Sequence, residues 1–109
     1  MKKKSQDKKV SLYIPTLNSG KTIISCLKSV LAQDYNLVEI LIIDNRSADD
    51  TVNKINKLKA RSKIPIKIIS QKKHGLADAR NIAMMHSKGD IVGFIDAGMD
   101  IHPAGLIFL

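Results

Sequence analysis

The chain has 109 residues, 44% apolar and 26% charged, and a net charge of +8. That length holds a single domain, and its apolar fraction is ordinary for a globular protein with a buried core. No apolar run reaches the 18 or so residues that cross a bilayer, no signal-peptide pattern follows the basic start, and a lone cysteine, Cys26, excludes an internal disulfide. The absence of a disulfide fits a reducing compartment, and the expected location is cytoplasmic.

Five of the 18 basic residues fall in the first nine positions: Lys2, Lys3, Lys4, Lys8 and Lys9. Residues 1–9 read as a basic, solvated tail, with contact to an anionic membrane surface as the alternative. Specific nucleic-acid binding is not expected. Outside the tail the charge is ordinary, and the chain lacks the aromatic residues on which bases stack.

From Val10 onward the pattern alternates. Val10–Ile14 is an apolar strand ended by Pro15. Lys21 to about Gln33 carries Ile23, Ile24, Leu27, Val30 and Leu31 at the spacing of one helix face. Leu37–Ile43 is a near-continuous apolar run ending at Asp44, as suits a parallel strand covered on both sides. Ser47 is the expected N-cap of a second helix reaching about Arg61, with a thin stripe of Val52, Ile55 and Leu58. Pro65 breaks the pattern, and Ile66–Ser70 reads as a third strand. Gly75 opens a helix to about Ser87, and Ile91–Ile95 is a fourth strand. The order β-α-β-α-β-α-β predicts an α/β, Rossmann-like, mostly parallel sheet of about four strands with helices on both faces.

Such sheets bind ligands beyond the carboxyl ends of their strands. Three polar clusters stand there: Pro15-Thr16-Leu17-Asn18, Asp44-Asn45-Arg46-Ser47, and Asp96. Turn chemistry explains Asn18, Ser19 and Gly20 equally well. It explains Asp44 and Asp96 less well, because an acid directly after an apolar strand is partly desolvated unless it has a partner or a task. Gly20-Lys21-Thr22 is placed like the end of a phosphate-binding P-loop. The glycine required five positions earlier is Pro15, which has no N–H to offer a phosphate. A dinucleotide-binding Gly-x-Gly-x-x-Gly is also missing. His74 and His86 have no metal-ligand spacing with each other or with Cys26; they read as a loop residue and a late-helix residue, and Cys26 as a small core filler.

Four blocks in order resemble family 2 glycosyltransferases. They are Ser11-Leu12-Tyr13-Ile14-Pro15-Thr16-Leu17-Asn18, the stretch Ile42 to Thr51, Gly75-Leu76-Ala77-Asp78-Ala79-Arg80-Asn81, and Lys88-Gly89-Asp90 with Phe94-Ile95-Asp96-Ala97. The resemblance implies the A-type glycosyltransferase fold, binding a nucleotide-diphosphate sugar with a divalent metal, Mg²⁺ or Mn²⁺, for inverting glycosyl transfer. It implies that Pro15, Thr16 and Asn18 line the nucleotide pocket and that Asp44 accepts a hydrogen bond from the base ring. Arg80 would lie near that pocket, with a structural ion pair as its alternative role. Asp96 would be the first acid of the Asp-x-Asp metal motif.

Two departures bear on catalysis. Gly98 stands where the family places the acid that binds the metal directly, and Asp100 replaces it only if the loop shifts register. The acceptor site and general base of the family lie in a later half, and His102 before Pro103 reads as a loop residue rather than that base. Residues 10–109 are thus expected to form the amino-terminal, donor-binding half, incomplete for turnover as an isolated chain. No catalytic residue is assigned. The alternative is a non-catalytic remnant or partner-binding subunit. The apolar end Leu106-Ile107-Phe108-Leu109 and a free sheet edge are expected to support homo-oligomer or partner contacts.

Overall fold

The computed structural model describes residues 8–33 and 36–98. The lysines at 2–4, Asp100, His102 and the apolar segment 106–109 lie outside them. Seven elements follow in alternation: β1 (Val10–Thr16), α1 (Ile23–Leu31), β2 (Leu37–Asp44), α2 (Thr51–Lys59), β3 (Ile66–Ser70), α3 (Leu76–His86) and β4 (Ile91–Phe94). All strand pairings are parallel, in the order β3-β2-β1-β4.

The order sets the position of the helices. The chain moves outward from β1 to β2 to β3, then returns to the other side of β1 for β4. With crossovers of one hand, the outward and return helices fall on opposite faces. The packing agrees. Leu12 and Ile14 of β1, with Ile40 and Ile42 of β2, are buried against Ile23, Cys26, Leu27 and Val30 of α1 and Ile55 of α2. The alternate residues Tyr13, Leu41 and Ile43 are buried against Ala79 and Ala83 of α3. Both faces of the central strands are covered, which is why β2 reads as a continuous apolar run.

Of the boundaries that differ from expectation, three have a clear local reason. β1 runs through Pro15 to Thr16, because its β2 side keeps pairing, Thr16 opposite Asp44. On the β4 side the last rung has the Ile95 N–H donating to the Tyr13 carbonyl at 3.2 Å. The next rung of a parallel ladder would need an N–H from residue 15, and proline has none. The strands therefore part at Asp96. The second helix starts at Thr51 rather than at Ser47, because Ser47 is engaged by Asp44. α1 starts two residues later than expected, at Ile23, whose N–H donates to the Ser19 carbonyl.

The amino end of the sheet is closed by a buried carboxylate. Glu39, 2% exposed, accepts from the Ser11 hydroxyl at 2.7 Å and from the Lys88 N–H at 2.6 Å, and faces Lys67 Nζ at 3.4 Å. Ser11 Oγ in turn accepts from the Gly89 N–H. Burial raises the Glu39 pKa, but the hydroxyl, the amide and the ammonium outweigh it, and the group sits below its ordinary value. The approach is so close that a Cβ on Gly89 would lie 2.7 Å from the Lys9 carbonyl oxygen.

Candidate functional site

The parting of β1 and β4 opens a cleft of about 500 Å³ at the carboxyl ends of the strands. This is the point where the strand order reverses, the usual ligand site of an open α/β sheet. Pro15, Thr16, Leu17 and Asn18 line one side, Asn45 and Gln71 the floor, His74, Gly75 and Leu76 the far lip, and Asp96, Ala97 and Gly98 the end. The expected residues Pro15, Thr16, Asn18 and Asp96 are thus brought together. Asp44 and Arg80 are not in this lining.

Asp44 lies just beneath the surface, 5% exposed. Its Oδ1 accepts from the Thr16 hydroxyl and the Ser47 hydroxyl, both at 2.6 Å, and its Oδ2 accepts the Ser47 N–H at 3.0 Å. Three donors compensate the desolvation of the carboxylate. They also bind the β2–α2 loop to the end of β1. Arg80 lies on α3 one turn past Leu76. It is exposed, makes no ion pair within the described residues, and lines the α3–β4 side with Tyr13 and Phe94. Burial raises the Tyr13 pKa, and the nearby Arg80 charge partly offsets it.

The wall built from the loops after β1 and β2 is densely cross-bonded. Asn18, with φ of 50°, turns its Oδ1 to the N–H groups of Ala48 at 2.7 Å and Asp49 at 3.3 Å, while its own N–H donates to Ser47 Oγ. The Ser19 N–H donates to Thr51 Oγ1 at 2.8 Å, the Gly20 N–H donates to Asp49 Oδ2 at 3.0 Å, and Lys54 Nζ reaches the Gly20 carbonyl at 2.7 Å. Asp49 also accepts from the Thr51 hydroxyl, the main cause that holds its carboxyl below the ordinary value. Gly20 is explained here without a phosphate: a Cβ would lie 2.1 Å from Asp50 Oδ1.

Two floor residues carry signals that the sequence does not single out. Gln71 is 2% exposed; its N–H donates to the Asp44 carbonyl, and its side-chain Nε2 donates to the Gly75 carbonyl at 2.9 Å and to Asp78 Oδ2. It anchors the loop that forms the far lip. Its one signal in the sequence is its place directly after the third strand. Asn45 is 7% exposed. Its Nδ2 donates to the Lys73 carbonyl at 2.8 Å, which turns Oδ1 the other way, and that oxygen has no partner among the described residues. A buried acceptor left open at a cleft floor fits a ligand N–H or O–H.

The metal expectation can be tested on these residues. Within the described residues no three His, Cys, Asp or Glu side chains converge. Asp96 is exposed, and its Oδ1 accepts the Gly98 N–H at 2.9 Å, while Oδ2 has no partner among the described residues. One carboxylate oxygen matches the sites where Mg²⁺ or Mn²⁺ is held largely by substrate phosphates and water. It does not make a metal site by the protein alone.

Comparison with known proteins agrees with this geometry. The chain is 41% identical over 88 residues to the UDP-Glc:alpha-D-GlcNAc-diphosphoundecaprenol beta-1,3-glucosyltransferase WfaP of Escherichia coli, a match covering 81% of this chain and 34% of that one. It is 34% identical to the chondroitin synthase of Escherichia coli, over 86% of this chain and 14% of the synthase. The chain therefore spans about a third or less of the length of these relatives. Among solved structures, the mannosyltransferase PcManGT from Pyrobaculum calidifontis in complex with GDP-Man and Mn²⁺ superposes with a TM-score of 0.75 at 28% identity, over 82% of this chain and 27% of that one. The TarS fragment 1-349 of S. aureus in complex with UDP gives 0.72 at 30%, over 83% and 27%. The sheet and helices are thus those of the A-type glycosyltransferase fold. The model of Glycosyl transferase family 2 matches residues 11–103, a span that takes in every element and every side of the cleft, and the chain belongs to that family.

Proposed function

We propose that the cleft binds the nucleotide-diphosphate part of a sugar donor, and that the protein serves metal-assisted, inverting glycosyl transfer. The observation that carries this reading is the cleft at the β1/β4 parting, lined by Thr16, Asn18, Asn45 and Asp96, in a chain whose family match spans all four. The neighbours with bound UDP and GDP-Man support the ligand class, and the Mn²⁺ complex supports the metal. Pro15 and Thr16 form the wall against the nucleotide. Asp44 orients the Thr16 hydroxyl, and Asn45 Oδ1 or Asp44 Oδ2 accepts an N–H of the base. Asp96 would hold a divalent cation, which when bound neutralises the leaving diphosphate. Arg80 acts on the ligand only by extending back past Leu76.

Calorimetric titration with UDP, with and without Mn²⁺, tests this. The expected result is metal-enhanced binding that Asp96→Ala returns to the metal-free level. Absence of binding to UDP, GDP and dTDP alike would overturn it.

One observation favours a second reading, a partner-binding subunit. Leu76, Met84 and Met85 on α3 are 66%, 53% and 81% exposed, and among the described residues β4 is an edge strand. Exposed apolar side chains and edge strands invite association. Sedimentation velocity should then show concentration-dependent association that Met84→Lys reduces. A clean monomer at micromolar concentration removes the self-association form of this reading.

A further inference from the structure

A second concavity, of about 310 Å³, lies between α1 and α2, away from the cleft. Its floor is Ile24 and Leu58, and its rim is Lys28, Lys54, Lys57 and Arg61. On α2 and the turn after it, positions 54, 57, 58 and 61 fall on one helix face, and Ile24 and Lys28 do the same on α1. Lys54 is committed, to Asp50 at 3.4 Å and to the Gly20 carbonyl. Lys28, Lys57 and Arg61 are exposed, and within the described residues no carboxylate pairs with them. Among the described residues no acid lines the groove.

Placement at helix carboxyl ends explains a cation or two, because the helix dipole favours them there. It does not explain why cations of two helices converge over an apolar floor. We propose that this groove docks the protein on an anionic membrane surface. The charge is complementary, and three unpaired cations on exposed, flexible stems match negative charge spread over a surface. A single-stranded nucleic acid would be served by aromatic stacking residues, and among the described residues the groove has none. A small multivalent anion would need a buried, preorganised site. Docking here also leaves the cleft open, because α1 and α2 run back from the cleft rim and carry these cations toward the opposite end of the sheet.

The test is vesicle co-sedimentation of the full chain. Phosphatidylcholine vesicles are compared with vesicles that also contain phosphatidylglycerol. Two triple variants remove the same charge: Lys28→Gln with Lys57→Gln and Arg61→Gln, and Lys2→Gln with Lys3→Gln and Lys4→Gln. Lys28, Lys57 and Arg61 are exposed side chains outside the core, and circular dichroism checks the fold of both variants. The expected result is binding only to the phosphatidylglycerol vesicles. The groove variant should lose on the order of a hundred-fold in partitioning, and the tail variant less than about three-fold. An equal or larger loss in the tail variant would overturn the proposal, because binding would then follow the tail or net charge alone. So would absence of any preference for phosphatidylglycerol. So would a groove variant that loses affinity for duplex RNA while keeping its vesicle binding.

Discussion

Single side chains at the cleft divide into those that hold the wall and those left open to a ligand. Asp44 holds: its three donors tie β1 to the loop after β2. Asn45 Oδ1 is open. Their substitutions should separate accordingly. Asp44→Ala leaves the Thr16 and Ser47 hydroxyls unpaired near the core and should lower stability by about 2–4 kcal/mol, read by urea unfolding. Asn45→Ala should cost about 1 kcal/mol of stability, for the lost bond to Lys73, and should weaken UDP binding roughly five- to ten-fold. Equal UDP affinity in Asn45→Ala and the parent would remove Asn45 from the site.

The glycines give a ranked prediction at the same scale. A Cβ at Gly89 meets backbone atoms of Lys9 and Ser11, whereas at Gly20 its nearest neighbour is the exposed Asp50 carboxyl, which can swing away. Gly89→Ala should therefore destabilise by about 2–4 kcal/mol and Gly20→Ala by about 1 kcal/mol. The reverse order in thermal melts would contradict the packing described.

The start of α2 shows how elements compete for one residue. Ser47 has the composition of an N-cap, and a sequence reading assigns it that role. In the fold, the buried Asp44 carboxylate takes both the Ser47 hydroxyl and its N–H, and the helix begins at Thr51. Local side-chain bonds of this kind divert the backbone from helix. Ser47→Ala should lower stability by about 1–2 kcal/mol with unchanged helical circular dichroism, because it weakens the wall rather than the helix. β3, Ile66–Ser70, was legible as it stands, as was the order of all seven elements, because apolar periodicity reports burial directly. Thr16, Asn18 and Asp96 in the cleft were legible by their place after strands. Gln71 was not, because its importance depends on reaching Gly75 and Asp78, a contact made only once the loop is folded. The seat of Arg80 on the α3–β4 side was also hidden: helical spacing puts a residue on a face, but the packing of the helix decides what that face meets.

At the scale of the whole molecule, the sheet is secured at its amino end by Glu39. Its pKa is lower in the folded chain than its ordinary 4.5. Such a group contributes stability above the unfolded value, and the contribution is lost as pH falls through the folded value. Stability should therefore drop as pH falls below about 4.5, and Glu39→Gln should flatten that part of the profile while lowering stability at pH 7. An unchanged acid limb in Glu39→Gln, measured by urea unfolding at several pH values, would show that other carboxylates dominate it. The charge surplus of +8 adds to the same limb, because protonating carboxylates raises self-repulsion in a chain already basic.

The strand order has a mechanical consequence. The two sides of the cleft are supported from opposite faces of the sheet and are unequal in stiffness. The side made by the loops after β1 and β2 is knitted by the Asn18, Ser47, Asp49 and Lys54 bonds. The side at His74–Leu76 has fewer ties, the Gln71 amide to the Gly75 carbonyl and, just before it, the Asn45 amide to the Lys73 carbonyl, and it turns at Gly75, whose φ of 113° suits a residue without a side chain. A ligand would thus meet an anvil and a hinged jaw. Hydrogen exchange should find the amides of Ala48 and Gly20 slow already in the free protein, and those of 74–76 fast until a nucleotide slows them. Fit to different donors would then be settled on the compliant side, with the rigid side serving as the fixed reference against which the nucleotide is measured.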